Sequence, residues 1–145
     1  MAVNLLLQYP LHMEFSSTIL LIEDNLIDQL VTKQLLKKVL DINQVFIANN
    51  GLEGLQWIIK NKKTQQKLVI LLDIQMPVMD GFEFLDIFQT LNEEIKKETQ
   101  IYVVSSTLDS DEIEQIRKNE FVRDFLNKPI PIDELKKKFL NSFLF

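Results

Sequence analysis

Three carboxylates in this 145-residue chain stand directly after short apolar runs, where reactive side chains are most easily presented. Asp73 follows the run 68–72 and opens Asp-Ile-Gln-Met-Pro-Val-Met-Asp-Gly at 73–81; Glu23 and Asp24 follow the run 18–22. If the two runs are neighbouring strands, the acids meet at one crevice and repel, and burial pushes at least one towards protonation unless a cation lies among them. The donors are all oxygen, with no histidine or cysteine nearby, which points to a hard divalent ion. Magnesium (Mg2+) takes one or two carboxylates, keeps several waters and leaves room for a phosphate.

Two more polar residues stand at expected strand ends further along. Lys128, in Asn127-Lys128-Pro129, brings an ammonium to the same edge, and Ser105 follows the run 101–104. An ammonium about 4 Å from a carboxylate is worth roughly 4 kcal/mol at an effective dielectric near 20, before solvation is charged against it. Phosphoryl transfer asks mainly for in-line positioning and stabilised equatorial oxygens. Magnesium, Lys128 and the Ser105 hydroxyl can supply both around an Asp73 nucleophile.

These residues need a scaffold that delivers strand ends to one place. Residues 18–22 and 68–72 are unbroken apolar runs too short for helices, the pattern of strands buried on both faces. Further strands are expected at 45–48, 101–104 and 122–126. Between them, Ile27, Leu30, Val31, Leu35 and Val39 recur at helical spacing behind Asn25, a cap with Asp28 at the third helical position. Further helices are expected at 52–60, 82–91, 109–118, where Asp109 and Glu112 have capping-box spacing, and from about Pro131. Asp133 and Glu134 near the start of the last helix and Lys136 to Lys138 later in it suit its dipole. Gly81 after Asp80 supplies a backbone turn that other residues resist.

Strand–helix alternation with apolar strands implies an α/β fold, a (βα)5 doubly wound parallel five-stranded sheet with right-handed crossovers. For the flavodoxin-like order 2-1-3-4-5 the ligand crevice lies between the first and third strands, those ending in Glu23-Asp24 and Asp73.

Composition sets the limits. One domain is expected over 18–145, preceded by an N-terminal extension at 1–17 in which Met13 is a plausible start. Sixteen basic and twenty-one acidic side chains give a net charge of −5 with no basic stripe, so no nucleic-acid partner is expected. No run approaches the roughly 20 apolar residues of a membrane span, so no membrane partner is expected. The absence of cysteine rules out disulfides and is compatible with a reducing cytosol.

Taken together, Ile-Glu-Asp-Asn at 22–25, the segment 73–81, Val-Ser-Ser at 104–106 and Lys-Pro at 128–129 resemble the receiver domain of two-component response regulators, over residues 18–143. The resemblance implies that Asp73 is the phosphoacceptor and that Asp24, Asp73 and the Gln75 backbone carbonyl are the magnesium ligands, with Glu23 acting through water. It implies that Ser105 is the switch hydroxyl, Phe125 the switch aromatic and Lys128 the lysine of the family pattern, with a cis peptide at Lys128-Pro129. Gln75 and Thr107 stand where the family varies its dephosphorylation rate. Residues 117–123 lack the small residues often found before the fifth strand.

The resemblance further implies a cytoplasmic phosphoacceptor of a two-component or phosphorelay system rather than a turnover enzyme. Its donor would be a sensor histidine kinase or a histidine phosphotransfer protein, and its output contact with a downstream protein target. With no output domain after Phe145 it is expected to be a stand-alone receiver, with helix faces near Glu112, Gln115 and Lys136 as docking sites. The one histidine, His12, lies in the extension, so the folded part must receive phosphate from elsewhere. A magnesium-dependent aspartyl-phosphate phosphatase would ask for a second acid at Gln75. A flavodoxin-like binding module would ask for a hydroxyl- and glycine-rich loop where Glu-Asp-Asn stands.

Overall fold

A computed structural model of the chain describes residues 17–62, 67–106 and 108–143. The extension with His12 and Met13 thus lies outside the described residues as far as position 16, as does Thr107. The strands are β1 (Thr18–Ile22), β2 (Phe46–Ala48), β3 (Leu68–Leu72), β4 (Thr99–Ser105) and β5 (Val122–Asn127). The helices are α1 (Leu26–Leu40), α2 (Gly51–Lys60), α3 (Gly81–Phe88), α4 (Glu93–Lys97), α5 (Ser110–Lys118) and α6 (Ile132–Phe143). Every ladder is parallel and the order is β2-β1-β3-β4-β5, as the alternation of elements requires. No helix of the described residues is long and apolar enough to cross a membrane.

The short helix α4 is the element that periodicity misses. Asn92 caps it by accepting from the Ile95 N–H, Glu93 and Glu94 open it, and Lys96 and Lys97 close it. Caps and dipole-matched charges hold it, and with Ile95 its one buried residue it has no repeating apolar signal to read.

A strand covered on both faces needs an apolar residue at every position, and all five residues of β3 are buried. Leu20, Ile22, Ile70 and Leu72 face one layer with Leu55, Ile58, Phe84 and Phe88 of α2 and α3. Ile19, Leu21, Val69 and Leu71 face the other with Leu36 of α1 and Leu135 of α6. Each such side chain contributes about 1.5–3 kcal/mol when fully buried, so the sheet is clamped from both sides and its strand ends are held in register. Gly54 brings α2 close to β1: a Cβ there would lie 2.5 Å from Ile22 Cδ1.

Helix α1 is turned differently from its apolar spacing. Gln29, Thr32 and Leu36 face inward, while Leu26, Ile27, Leu30 and Val31 are 75%, 72%, 58% and 45% exposed. Leu35 and Val39 are only half-buried. The cause is polar: Gln29 Nε2 donates to the Glu23 carbonyl at 2.6 Å and to Asn49 Oδ1 at 2.9 Å. Two buried or half-buried hydrogen bonds set the rotation of the helix, because leaving those groups unpaired would cost about 1–3 kcal/mol each. Lys136 to Lys138 lie mid-helix and not in the last turn, because α6 runs on to Phe143. Lys138 pairs with Asp124 of β5 and, at 3.5 Å, with Glu134, tying α6 to the edge strand.

Candidate functional site at the carboxyl edge of the sheet

Parallel pairing places the acids side by side. Ile22 is in register with Leu72, and the Asp73 N–H donates to the Ile22 carbonyl at 2.9 Å, so residues 23 and 73 leave the sheet together. The Glu23 N–H is tied to the Ala48 carbonyl at 3.0 Å. Carboxylate oxygens of Glu23, Asp24 and Asp73 consequently lie within 4.8 Å of one another. Glu23 and Asp73 are buried, at 2% and 7% exposure, and Asp24 is exposed at the mouth. Asp73 Oδ1 accepts from the Ile74 N–H at 2.9 Å and Glu23 Oε2 from the Asn25 N–H at 3.0 Å.

Lys128 joins them from β5. Its N–H donates to the Ser105 carbonyl at 3.0 Å, which anchors it beside the end of β4, and its peptide bond to Pro129 is cis. The ammonium lies 2.5 Å from Glu23 Oε1, 2.9 Å from Asp28 Oδ2 and 3.8 Å from Asp73 Oδ1. Burial, then the charge of Glu23, pushes the Asp73 carboxyl up to about 7 against the opposing pull of Lys128. Burial works against the Lys128 charge, but hydrogen bonds to Glu23 and Asp28 outweigh it and raise the ammonium above its ordinary value. A buried acid pair with a carboxyl poised near neutrality and three convergent oxygen donors suits a hard cation at this edge.

Asp28 escapes sequence reasoning. Its place behind the Asn25 cap explains its backbone, whose N–H donates to Asn25 Oδ1 at 2.9 Å, but gives no sign that its carboxylate meets a lysine 100 residues away. Gln29 is missed for the same reason, since its partners are set by tertiary structure.

The loop from Asp73 to α3 is closed by Gly81, whose N–H donates to the Ile74 carbonyl at 2.8 Å. No described glycine has a positive φ, which corrects the reading of Gly81 as a turn residue. What it supplies is room: a Cβ would lie 2.6 Å from Ile74 Cδ1 and 2.7 Å from the Asp73 carbonyl oxygen. The strained position is Val78, with φ 69° and a 2.7 Å hydrogen bond from the Met79 N–H to the Pro77 carbonyl across it. Such three-residue turns are costly for a β-branched residue. Val78→Gly is expected to stabilise the fold by about 1 kcal/mol, because relief of strain exceeds the added freedom of the unfolded chain and Val78, at 74% exposure, loses little packing. Urea denaturation measures this; a destabilised variant would show that the backbone here costs nothing.

Ser105 ends β4, is 1% exposed, and is in register with Asn127. Phe125 is half-buried and packs on the cluster of Ile74, Val103 and Ile116 beneath α5. Gln75 lies two residues beyond Asp73, in the loop after β3, with an exposed side chain. Within β5 the pairing with β4 slips by one residue at Arg123, so that Ile101 faces Val122 and Tyr102 faces Asp124.

Known proteins share this fold. The response regulator receiver domain family matches residues 19–140. The chain is similar to the probable C4-dicarboxylate response regulator DctR of Bacillus subtilis, 31% identical over 122 residues that cover 82% of this chain and 49% of that protein. It is also similar to hybrid signal transduction histidine kinase B of Dictyostelium discoideum, 32% identical over 135 residues covering 87% of this chain and 6% of the kinase. The chain therefore spans about half the length of the first relative and a small part of the second. Among solved structures, a response regulator receiver protein from Dyadobacter fermentans superposes with a TM-score of 0.79 at 26% identity, covering 88% of this chain and 98% of that one. A two-component response regulator from Cytophaga hutchinsonii gives 0.80 at 20% identity over 89% and 97%, a likeness of fold. The order of the sheet agrees with these matches, and the chain belongs to the response regulator receiver domain family of two-component signalling.

Proposed function

We propose that this domain accepts a phosphoryl group on Asp73, in the cytoplasm, from a sensor histidine kinase or histidine phosphotransfer protein, and signals to a protein target by a change of surface. The observation that carries this reading is the convergence of Glu23, Asp24 and Asp73 within 4.8 Å, with the Lys128 ammonium 3.8 Å from Asp73 Oδ1. In the transfer, an Asp73 carboxylate oxygen forms the new O–P bond as the P–N bond of the donor's phosphohistidine breaks, and the imidazole leaves with the electron pair. The domain is a stoichiometric acceptor, not a turnover enzyme.

Asp24, Asp73 and the Gln75 backbone carbonyl would hold Mg2+, and Glu23 would act on it through water. When bound, the ion neutralises charge on the phosphoryl oxygens. Glu23 keeps Lys128 at the site, Asp73 supplies the nucleophile, and Lys128 supplies positive charge. Leu26, Ile27, Leu30 and Val31, exposed beside the acids, form an apolar surface suited to a protein donor.

The test is intact mass after incubation with a small phosphodonor. A gain of one phosphoryl group, lost in hydroxylamine and dependent on magnesium, is expected, with Asp24→Ala weakening magnesium affinity at least about tenfold. With a phosphohistidine protein as donor, Leu30→Glu should slow labelling that the small donor still achieves. No magnesium-dependent mass gain in the parent would remove the reading.

Ser105 and Phe125 are assigned to the response. A single neutral hydrogen bond contributes about 1 kcal/mol, enough to shift a balanced equilibrium but little of a transfer barrier. Ser105→Ala is accordingly expected to be labelled on Asp73 yet to show a smaller phosphorylation-induced change in amide exchange across residues 105–135. Equal exchange changes in variant and parent would assign the switch to another residue.

A further inference from the structure

Lys128 touches three acids but hydrogen-bonds only two, and the one left out is Asp73. Its ammonium is 2.5 Å from Glu23 and 2.9 Å from Asp28, against 3.8 Å from Asp73. A phosphoryl group built on Asp73 presents new anionic oxygens to the ammonium, which has one uncommitted N–H to offer them where it stands; to give them a second, the lysine must exchange one of its present partners. The two candidates differ in what their loss costs. The Glu23 side chain is 3% exposed, and stripping it of its cation would leave a buried acid uncompensated. The Asp28 side chain is 40% exposed, so water can replace the lysine at little cost. Asp28 is also free of other duties: the cap of α1 uses its backbone N–H and not its carboxylate.

We propose that Asp28 is a positioning residue, a resting counter-ion that holds the Lys128 ammonium towards α1 and is surrendered when the lysine turns to a phosphoryl group on Asp73. The inference rests on the assignment of Asp73 as phosphoacceptor. Asp28 thereby opposes the phosphorylated state, and the Lys128–Asp28 pair is a second consequence of phosphorylation besides any movement of Ser105. The Lys128–Glu23 pair stays intact in both states and acts as the pivot.

Beryllofluoride with saturating magnesium serves as the phosphoryl probe, followed by 19F NMR. Asp28→Asn, which keeps the backbone cap, is expected to bind it about three- to tenfold more tightly than the parent, and Asp28→Glu, which restores a carboxylate in reach of the ammonium, should return towards the parental affinity. A crystal structure of the parent with the probe bound should show the Lys128–Asp28 hydrogen bond broken and the Lys128–Glu23 bond kept. Were Asp28 only one more negative charge, its removal would tighten binding with the Lys128–Asp28 bond still present in that structure, and the inference would be overturned. Equal affinity of Asp28→Asn and parent would overturn it as well, while leaving the acceptor assignment standing. A parent that binds no beryllofluoride and takes up no phosphoryl group removes the acceptor assignment and this inference with it.

Discussion

In a chelator at pH 8, Asp73→Asn should unfold at higher urea than the parent, a gain on the order of 2 kcal/mol, while losing all uptake of phosphoryl group. Burial and the neighbouring Glu23 raise the Asp73 carboxyl from 3.8 to about 7, so its ionised form is disfavoured in the folded protein. The sign follows from linkage. With the folded value above the unfolded one, the group imposes no cost below 3.8, an increasing cost as the pH rises to about 7, and its full cost above that. The advantage of the variant should therefore shrink when both proteins are compared at pH 5. Magnesium should reverse the order, because a cation that binds only the folded state stabilises by RT ln(1 + [L]/Kd), and the variant offers it one carboxylate fewer. Equal stability of the two proteins in chelator at both pH values would show that the acids do not strain the site.

Lys128→Ala should have the opposite effect on stability, a loss of about 3 kcal/mol in chelator, because it leaves the 3%-exposed Glu23 side chain without a cation. A surface ion pair would cost far less, typically under about 1 kcal/mol. Adding Glu23→Gln to Lys128→Ala should recover most of the loss, since both charges are then gone. Phosphoryl uptake should stay low in the double variant, because the positive charge beside Asp73 is absent. A Lys128→Ala protein as stable as the parent would mean that the Glu23–Lys128 contact is not a buried pair in solution.

Much of the fold is legible in local pattern. The runs 18–22 and 68–72 match β1 and β3 because a strand covered on both faces is apolar almost throughout, half-buried Thr18 at the start of β1 being the one polar position of the two. Asn25 and Asp109 announce α1 and α5 because a cap acts over three residues. Other elements drift at their ends: β4 begins at Thr99, ahead of its apolar stretch, and α3 stops at Phe88, where the Thr90 hydroxyl donates to the Ile87 carbonyl at 2.6 Å and the chain turns away.

What the chain determines by itself is the set of strand-end groups, Glu23, Asp24, Asp73, Ser105 and Lys128, since each stands at or just beyond the end of an expected strand and a parallel sheet carries every such end to one edge. Which of them touch is decided only by tertiary structure. The Asp28–Lys128 bond spans 100 residues, and the inward turn of Gln29 depends on Asn49 of a neighbouring loop. Periodicity places the apolar residues of α1 on one side but not towards the core, because a pattern of spacing records relative angles along a helix and not the direction in which the helix is rotated. That direction is set by buried hydrogen bonds, whose partners exist only once the strands have been aligned.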